Sequence, residues 1–512
     1  MSILNKFKLS SVHVIPLSFL GAILIGTLLL ALPVSSAAGT WTPLVDSLFT
    51  ATTSVCVTGI VVVDTYSYWS LFGQTVILLL IQIGGLGVIT VVSTLMLIAH
   101  KRFSLSERLM LRDAMNLDSI GGLLAFLSKV IRGTFLVELA GAFLYMFAFV
   151  PRFGLARGIR ASVFNAVSAF CNAGMDILGP DSLIPYRSDP LVLTVTMALI
   201  VMGGLGYVVW FDVMGESFAR RGKEAAKSDK ELREDPLKKI PEITDDFSAD
   251  AAKYGKDSTG KAGQHTDDFE AAPAEPEINS PKGPLFKHLT EHTKLVLTLT
   301  LILIAAGTAV ILAAEYNNVG TIGELPLPLK LLNSLFESVT FRMAGFATLP
   351  QKSLTDVSCL AAYFMMFIGG SPIGTAGGVK TTTFYFYIMN ITSYIRGQNS
   401  ARVYKRSVSA EQMMKATAIV EVSMGTVLVL TLLLSATNPV GLTDALFEVM
   451  SACATVGLTR GVTPLLNTAG KLIIIAGMYL GRIGPISMAL FFAGGRKEES
   501  PVHFPEGNFF IG

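Results

Sequence analysis

Charge is scarce in this 512-residue chain. Only 15% of its residues are Asp, Glu, Lys or Arg, against about a quarter in ordinary soluble domains. With a mean hydropathy of +0.56, a shortage this large over such a length excludes a string of soluble domains and points to the bilayer as solvent. Cysteine is equally thin. Cys56, Cys171, Cys359 and Cys453 lie far apart, which excludes both a disulfide framework and a CxxC-type metal site. The 6 histidines are scattered and add no metal signal. A net charge of +2 gives no case for nucleic acid as a partner. No His/Asp/Glu or Ser/His set recurs at one depth of an apolar stretch, so a membrane-embedded enzyme is disfavoured and no catalytic residue is assigned.

What the chain has is apolar length. Eight segments can cross a hydrocarbon core of roughly 30 Å. They lie near 12–32, 70–99, 129–149, 189–214, 292–314, 354–395 (interrupted), 414–436 and 469–493. The first follows Lys6 and Lys8 and reads as a retained helix; Ser35-Ser36-Ala37-Ala38 offers the cleavage alternative. Within each pair of spans lies a shorter apolar stretch, near 44–55, 160–171, 331–341 and 442–453. Each is too short to span and runs into a small-residue turn. Irregular backbone at membrane depth is tolerated only inside protein or along water, so these stretches read as re-entrant pore helices. Lys101, Arg102, Arg108 and Arg112, then Arg396, Arg402, Lys405 and Arg406, then Arg496 and Lys497, put the basic loops and both termini on the cytoplasmic side; Arg152, Arg157 and Arg160 run against the pattern. Residues 216–290 are rich in Lys, Asp, Glu, Pro and Gly and read as a largely disordered cytoplasmic insertion.

The four short stretches repeat: LFTATTSVCVTGI, VFNAVSAFCNAGM, LFESVTFRMAGF and LFEVMSACATVGL. A Phe precedes a Gly by ten residues in three of them (Phe49 to Gly59, Phe164 to Gly174, Phe447 to Gly457) and by nine in Phe336 to Gly345. Intervals between the glycines are 115, 171 and 112, and the polar insertion accounts for the long middle one. Gly84-Gly85, Gly203-Gly204, Gly369-Gly370 and Gly481-Arg482 follow at 25, 29, 24 and 24 residues. Asp46, Asn333 and Asp444 are expected as N-caps of the short helices. The predicted fold is an all-α integral membrane protein. Four parallel helix–pore-loop–helix repeats, with eight spans and four re-entrant pore helices, surround a central pore. Repeat one covers 1–112, repeat two 113–215, the insertion 216–290, repeat three 291–406 and repeat four 407–512.

A helix that stops in mid-membrane aims its negative end at the bilayer centre, and four such ends around one axis favour a cation. The backbone beyond must turn carbonyls inward to replace the ion's water, and glycine takes the positive φ this needs. The expected filter is Gly59, Gly174, Gly345 and Gly457 with Thr58, Ala173, Ala344 and Val456 before them. The expected ion ligands are the carbonyls of Val57, Thr58, Asn172, Ala173, Met343, Ala344, Thr455 and Val456. Cys56, Cys171, Cys453, Phe170 and Phe341 are expected as buried spacers. A rival, a secondary transporter of a small solute, would need inverted repeats. These repeats each hold an even number of spans and so run parallel.

At these residues the chain resembles the Ktr/Trk/HKT superfamily of potassium transporters, and its KtrB-type membrane subunits in particular, over nearly everything outside 216–290. It opens directly on the first repeat, without the two additional spans of Trk-type relatives. The resemblance implies potassium as the transported ion, with four glycines favouring it over sodium. A sodium-permeable transporter of the same superfamily is the alternative. It implies that GGSPIGTAGGVKTTT, Gly369 to Thr383, is an intramembrane gating loop involving Gly369, Gly370, Gly374, Gly377, Gly378 and Lys380, with Arg482 as a positive barrier beside the pore. Five glycines and a proline cannot hold a helix there, and a Walker A reading fails because Val379 precedes Lys380. Arg342 is expected as an anchor to Glu337 or Glu448. Glu138 and Glu421 share a repeat position. The resemblance further implies no cofactor in this chain, sodium as a candidate activator, a homodimer, a ring of cytosolic nucleotide-binding KtrA-type subunits, and a place in the plasma (inner) membrane.

Overall fold

The computed structural model describes residues 11–88, 90–91, 93, 123–215, 289–342, 344–397, 402–404 and 406–484. The expected basic loop 101–112, the insertion up to 288, Met343, Lys405, the tail with Arg496 and Lys497, and the distal parts of the second and eighth apolar segments lie outside those residues.

The described chain is mostly helical and falls into four successive units of outer, short and inner helix. The first is Ser11–Ala31, Leu44–Val55 and Leu71–Leu86. The second is Leu123–Phe153, Leu155–Cys171 and Pro190–Leu205, the last bent by 98° at Gly206 into Tyr207–Val213. The third is Glu291–Glu315, Leu327–Phe341 and an inner helix interrupted between Asp356–Phe367 and Thr381–Ile395. The fourth is Ala410–Thr437, Leu442–Ala454 and Thr468–Ile483. A two-residue antiparallel ladder, Arg402–Val403 with Arg406–Ser407, departs from the all-α expectation.

Among the described residues, four helices are long and apolar enough to cross a membrane: His13–Ala31, Phe126–Phe153, Glu291–Glu315 and Ala410–Thr437. The bent pair at Gly206 makes a fifth if it forms one span, and Leu71–Leu86 and Asp356–Phe367 are shorter apolar helices. Leu24, Leu28, Leu136, Leu139, Leu301, Leu428 and Leu432 are exposed on the outer helices, as a lipid-facing surface requires. This is a multi-pass membrane protein. Its interior is held by close packing, because lipid tails are as apolar as leucine and supply no hydrophobic drive between helices. The repeat phenylalanines Phe49, Phe164, Phe336 and Phe447 are all buried there.

Each inner helix starts on a side-chain cap. Ser70, Asp189, Thr355 and Asn467 accept from Gly73 N (3.2 Å), Leu191 N (3.1 Å), Ser358 N (3.3 Å) and Gly470 N (2.8 Å). The short helices are not capped as expected. Their N-caps are Pro43, Gly154, Pro326 and Gly441. Asp46 and Asp444 sit three residues inside, where they still favour the positive helix end, and pair with Lys471 Nζ (2.6 Å) and Arg460 Nε (2.7 Å). Asn333 lies a further turn in and donates to Leu329 O and Arg187 O, both at 2.9 Å. A neighbour's cation competes for each aspartate, and proline presets the entries of the first and third short helices.

Candidate functional site

The short helices end in three turns of one design and a fourth of another. In turns one, two and four the residue two before the glycine is left-handed without being glycine: Val57 (φ 56), Asn172 (φ 60) and Thr455 (φ 55). The amide that follows reaches back five residues, Thr58 N to Thr53 O, Ala173 N to Ser168 O and Val456 N to Ser451 O, each 2.8 Å. Turn three is one residue shorter, and Ala344 N reaches back only four, to Thr340 O at 3.0 Å. Its Met343 is outside the described residues. The glycines themselves have φ of 97, 67, 74 and 104 at Gly59, Gly174, Gly345 and Gly457.

The four turns meet in a closed cycle. A methyl group on Gly59 would strike the carbonyl oxygen of Ala173. On Gly174 it would strike that of Ala344, on Gly345 that of Val456, and on Gly457 that of Thr58. Each turn thus abuts the next, and the fourth abuts the first. Positive φ and lack of room both demand glycine at these positions. Thr58, Ala173, Ala344 and Val456, the residues singled out in the sequence, are the ones whose oxygens face the neighbouring turn. Cys56, Cys171, Phe170 and Phe341 are buried behind them, and Cys453 is half-buried.

Two buried carboxylates hold the chain beyond the turns. Glu337 accepts from Thr348 N, Thr348 Oγ1 and Leu349 N, each 3.2 Å, and from Gln351 Nε2 at 3.1 Å. Glu448 accepts from Thr459 Oγ1 (2.5 Å), Arg460 N (3.0 Å) and Thr463 Oγ1 (2.6 Å). Neither meets Arg342, so the expected anchor is corrected: Arg342 Nη2 donates to Thr381 Oγ1 at 3.4 Å, where the inner helix of repeat three resumes. The carboxylates are consumed by backbone amides whose bonds would otherwise go unmade in a dry interior. Glu138 and Glu421 part company despite their shared register. Glu138 is buried and accepts from Gln82 Nε2 at 3.3 Å, while Glu421 is exposed.

The inner helices sit directly behind the turns. Gly84, Gly203 and Gly481 lie against the carbonyls of Val55, Phe170 and Cys453, four residues before the turn glycine in each case. This is a packing role, and it brings Arg482 to the loop that interrupts repeat three. Gly369 N donates to Val379 O (2.8 Å) and Thr381 N to Gly370 O (3.0 Å), which closes that loop at its base. Its span is tied to the broken inner helix of repeat two. Ser371 N donates to Gly204 O (2.9 Å), Thr375 N to Gly203 O (3.2 Å) and Tyr207 N to Ile373 O (3.0 Å). Thr375 Oγ1 also donates to Phe170 O at 3.1 Å, and Gly377 lies against Thr455 Oγ1. The loop therefore lies against the ends of turns two and four. Lys380 Nζ donates to Ala376 O at 2.5 Å. The Arg482 guanidinium donates to the carbonyls of Thr375 and Gly84 and so bridges the loop and the first inner helix. Both of these partners are main-chain oxygens, in contrast to a salt bridge between helices. The left-handed conformation of Val57 and Thr455 was not legible in the sequence, because β-branched residues rarely adopt it; Asn172 is of a type that does.

The family model for TrkH, a cation transport protein, matches residues 14–233 and 289–500. The chain belongs to the TrkH family of cation transport proteins. This member of the family is a transporter and not an enzyme, and within the Ktr/Trk superfamily it is of the KtrB type. It is 34% identical to the Ktr system potassium uptake protein B of Bacillus subtilis over 98% of this chain and 96% of the relative. It is 31% identical to the potassium/sodium uptake protein NtpJ of Enterococcus hirae, over 99% and 98% of the two chains. The crystal structure of the potassium transporter TrkH from Vibrio parahaemolyticus matches 95% of this chain and 86% of its own length with a TM-score of 0.63 at 14% identity, a likeness of fold.

Proposed function

We propose that this protein carries potassium into the cell through a pore at the centre of the four turns. The observation that carries the proposal is the closed cycle of glycines and carbonyls. Four short helices aim their negative ends at one axis, and the carbonyls of Val57, Thr58, Asn172, Ala173, Met343, Ala344, Thr455 and Val456 take the place of an ion's water. In this reading repeats 1–112, 113–215, 291–406 and 407–512 contribute two spans each, and 216–290 is a cytoplasmic insertion. Both termini are cytoplasmic, and the membrane potential drives uptake.

Gly369, Gly370, Gly374, Gly377, Gly378 and Lys380 form the gate below the filter. Arg482 places a positive charge beside it that raises the barrier to a cation. Protomers pair as homodimers on a ring of cytosolic nucleotide-binding subunits, in keeping with the Ktr system to which the Bacillus relative belongs, and sodium acts as an activator. A second reading, permeation of sodium as well as potassium, is favoured by the name of the Enterococcus relative, a potassium/sodium uptake protein. Expression in a bacterium lacking its own potassium uptake, with and without such a cytosolic subunit, tests the proposal. Growth at low potassium is the expected result, and failure to grow with the protein present in the membrane overturns it. Flux of sodium alongside potassium separates the two readings.

A further inference from the structure

Pore-helix hydroxyls normally turn back onto their own helix. Thr50, Thr52 and Ser54 do so, donating to the carbonyls four residues earlier at 2.9, 2.7 and 2.6 Å. Thr53 does the opposite. It is fully buried, and its Oγ1 accepts from Gly59 N, six residues ahead, at 2.9 Å. The fourth repeat does the same, with Gly457 N donating to Ser451 Oγ at 3.0 Å. In both, one residue holds two successive amides, the first on its main-chain oxygen and the second on its hydroxyl.

A trans peptide points its N–H and C=O in opposite directions. Tying the Gly59 N–H back into the pore helix therefore drives the Thr58 carbonyl away from that helix, toward Gly457, and tying Gly457 sends the Val456 carbonyl toward Gly345. The braces fall where strain is greatest. Turns one and four place the β-branched Val57 and Thr455 in the left-handed region, the residue class least suited to it. Turn two has Asn172 there, which tolerates the conformation, and its equivalent hydroxyl, Ser168 Oγ, is buried with no hydrogen-bond partner. The shorter third turn uses Thr340 Oγ1 differently, donating to Phe346 O at 2.7 Å.

We propose that Thr53 and Ser451 are positioning residues for ion selectivity: their hydroxyls keep the Thr58–Gly59 and Val456–Gly457 peptides from rotating their oxygens out of the ion path. The inference rests on the reading of the four turns as the filter. The test is the potassium-to-sodium flux ratio of the full-length protein in lipid vesicles. A second readout is the protection each ion gives the purified protein against heat. Thr53→Val keeps the shape and removes the acceptor, and Ser451→Ala removes the other. Each is expected to lower the ratio about fivefold, the worth of one buried hydrogen bond, with ion protection shifting toward sodium. Thr53→Ser is expected to restore what Thr53→Val loses, and Ser168→Ala to move the ratio less than Ser451→Ala. Should Thr53→Val not fold, Ser451→Ala carries the test. Wild-type ratios in Thr53→Val and Ser451→Ala, with an altered ratio in Gly59→Ser, overturn the inference and leave the filter standing. A wild-type ratio in Gly59→Ser as well removes both. Equal losses in Ser168→Ala and Ser451→Ala would reduce the hydroxyls to packing.

Discussion

The four turns and the loop 369–380, which lies against turns two and four, are both irregular backbone, yet they are held in opposite ways. Each turn is tied to its own short helix by bonds spanning four to six residues, such as Thr58 N to Thr53 O at 2.8 Å. Moving a turn means unwinding the helix behind it. Between its closed base strands, the loop is tied to other repeats: Ser371 and Thr375 to the second, and Thr375 O to Arg482 of the fourth. Each such bond contributes about 1 kcal/mol, or about 1.5–3 kcal/mol where a guanidinium donates. A handful of them can break together without any helix being lost. The turns are thus tied within their own repeats and the loop mainly across repeats, even though the segments are in contact.

The largest expected effect breaks the rigid side. Gly345→Ser puts a side chain at φ 74 against the Val456 carbonyl, and the potassium-to-sodium flux ratio is expected to fall at least tenfold or so. A ratio equal to wild type in folded protein would remove turn three from the ion path. Next comes the loop tied across repeats. Deleting Ile373 to Gly377 removes the bonds to Gly203 and Tyr207 and is expected to raise potassium flux several-fold; a folded variant with lower flux would show that the loop does not obstruct the pore. Arg482→Gln removes the charge while keeping a donor. Flux is expected to rise by less than in the deletion, and a fall would reverse the sign of its role. The smallest effect sharpens the comparison: Ser70→Ala loses an N-cap worth about 1 kcal/mol, which lowers the unfolding midpoint in detergent and leaves the flux ratio where it was.

Much of this was legible because repetition amplifies weak signals. One glycine after an apolar stretch means little, but Gly59, Gly174, Gly345 and Gly457 in one register mark four equivalent turns, and these turns abut one another. The short helices were placed to within a few residues for the same reason, apolar faces of a dozen residues being too short to cross. What escaped was whatever depended on side-chain partners distant along the chain, on rival hydrogen-bond donors, or on a local break in the backbone. Asp46 reads as a cap until Lys471 is seen 2.6 Å away, 425 residues later in the chain. Arg342 reads as a mate for Glu337 until that carboxylate is found wrapped in the amides of Thr348 and Leu349. The 98° break at Gly206 was hidden in a continuous apolar run, since a single glycine is compatible with an unbroken helix.

Gly457 resting on the carbonyl of Thr58 has a consequence for how the molecule is made. Repeat one emerges from the ribosome hundreds of residues before the segment that seats against it. During that interval its turn has a neighbour on one side only, and the cycle stays open. The cycle of turns therefore closes only at the end of synthesis. A chain cut before the fourth repeat would insert in the membrane, yet it would leave the first repeat's oxygens with nothing to complete them.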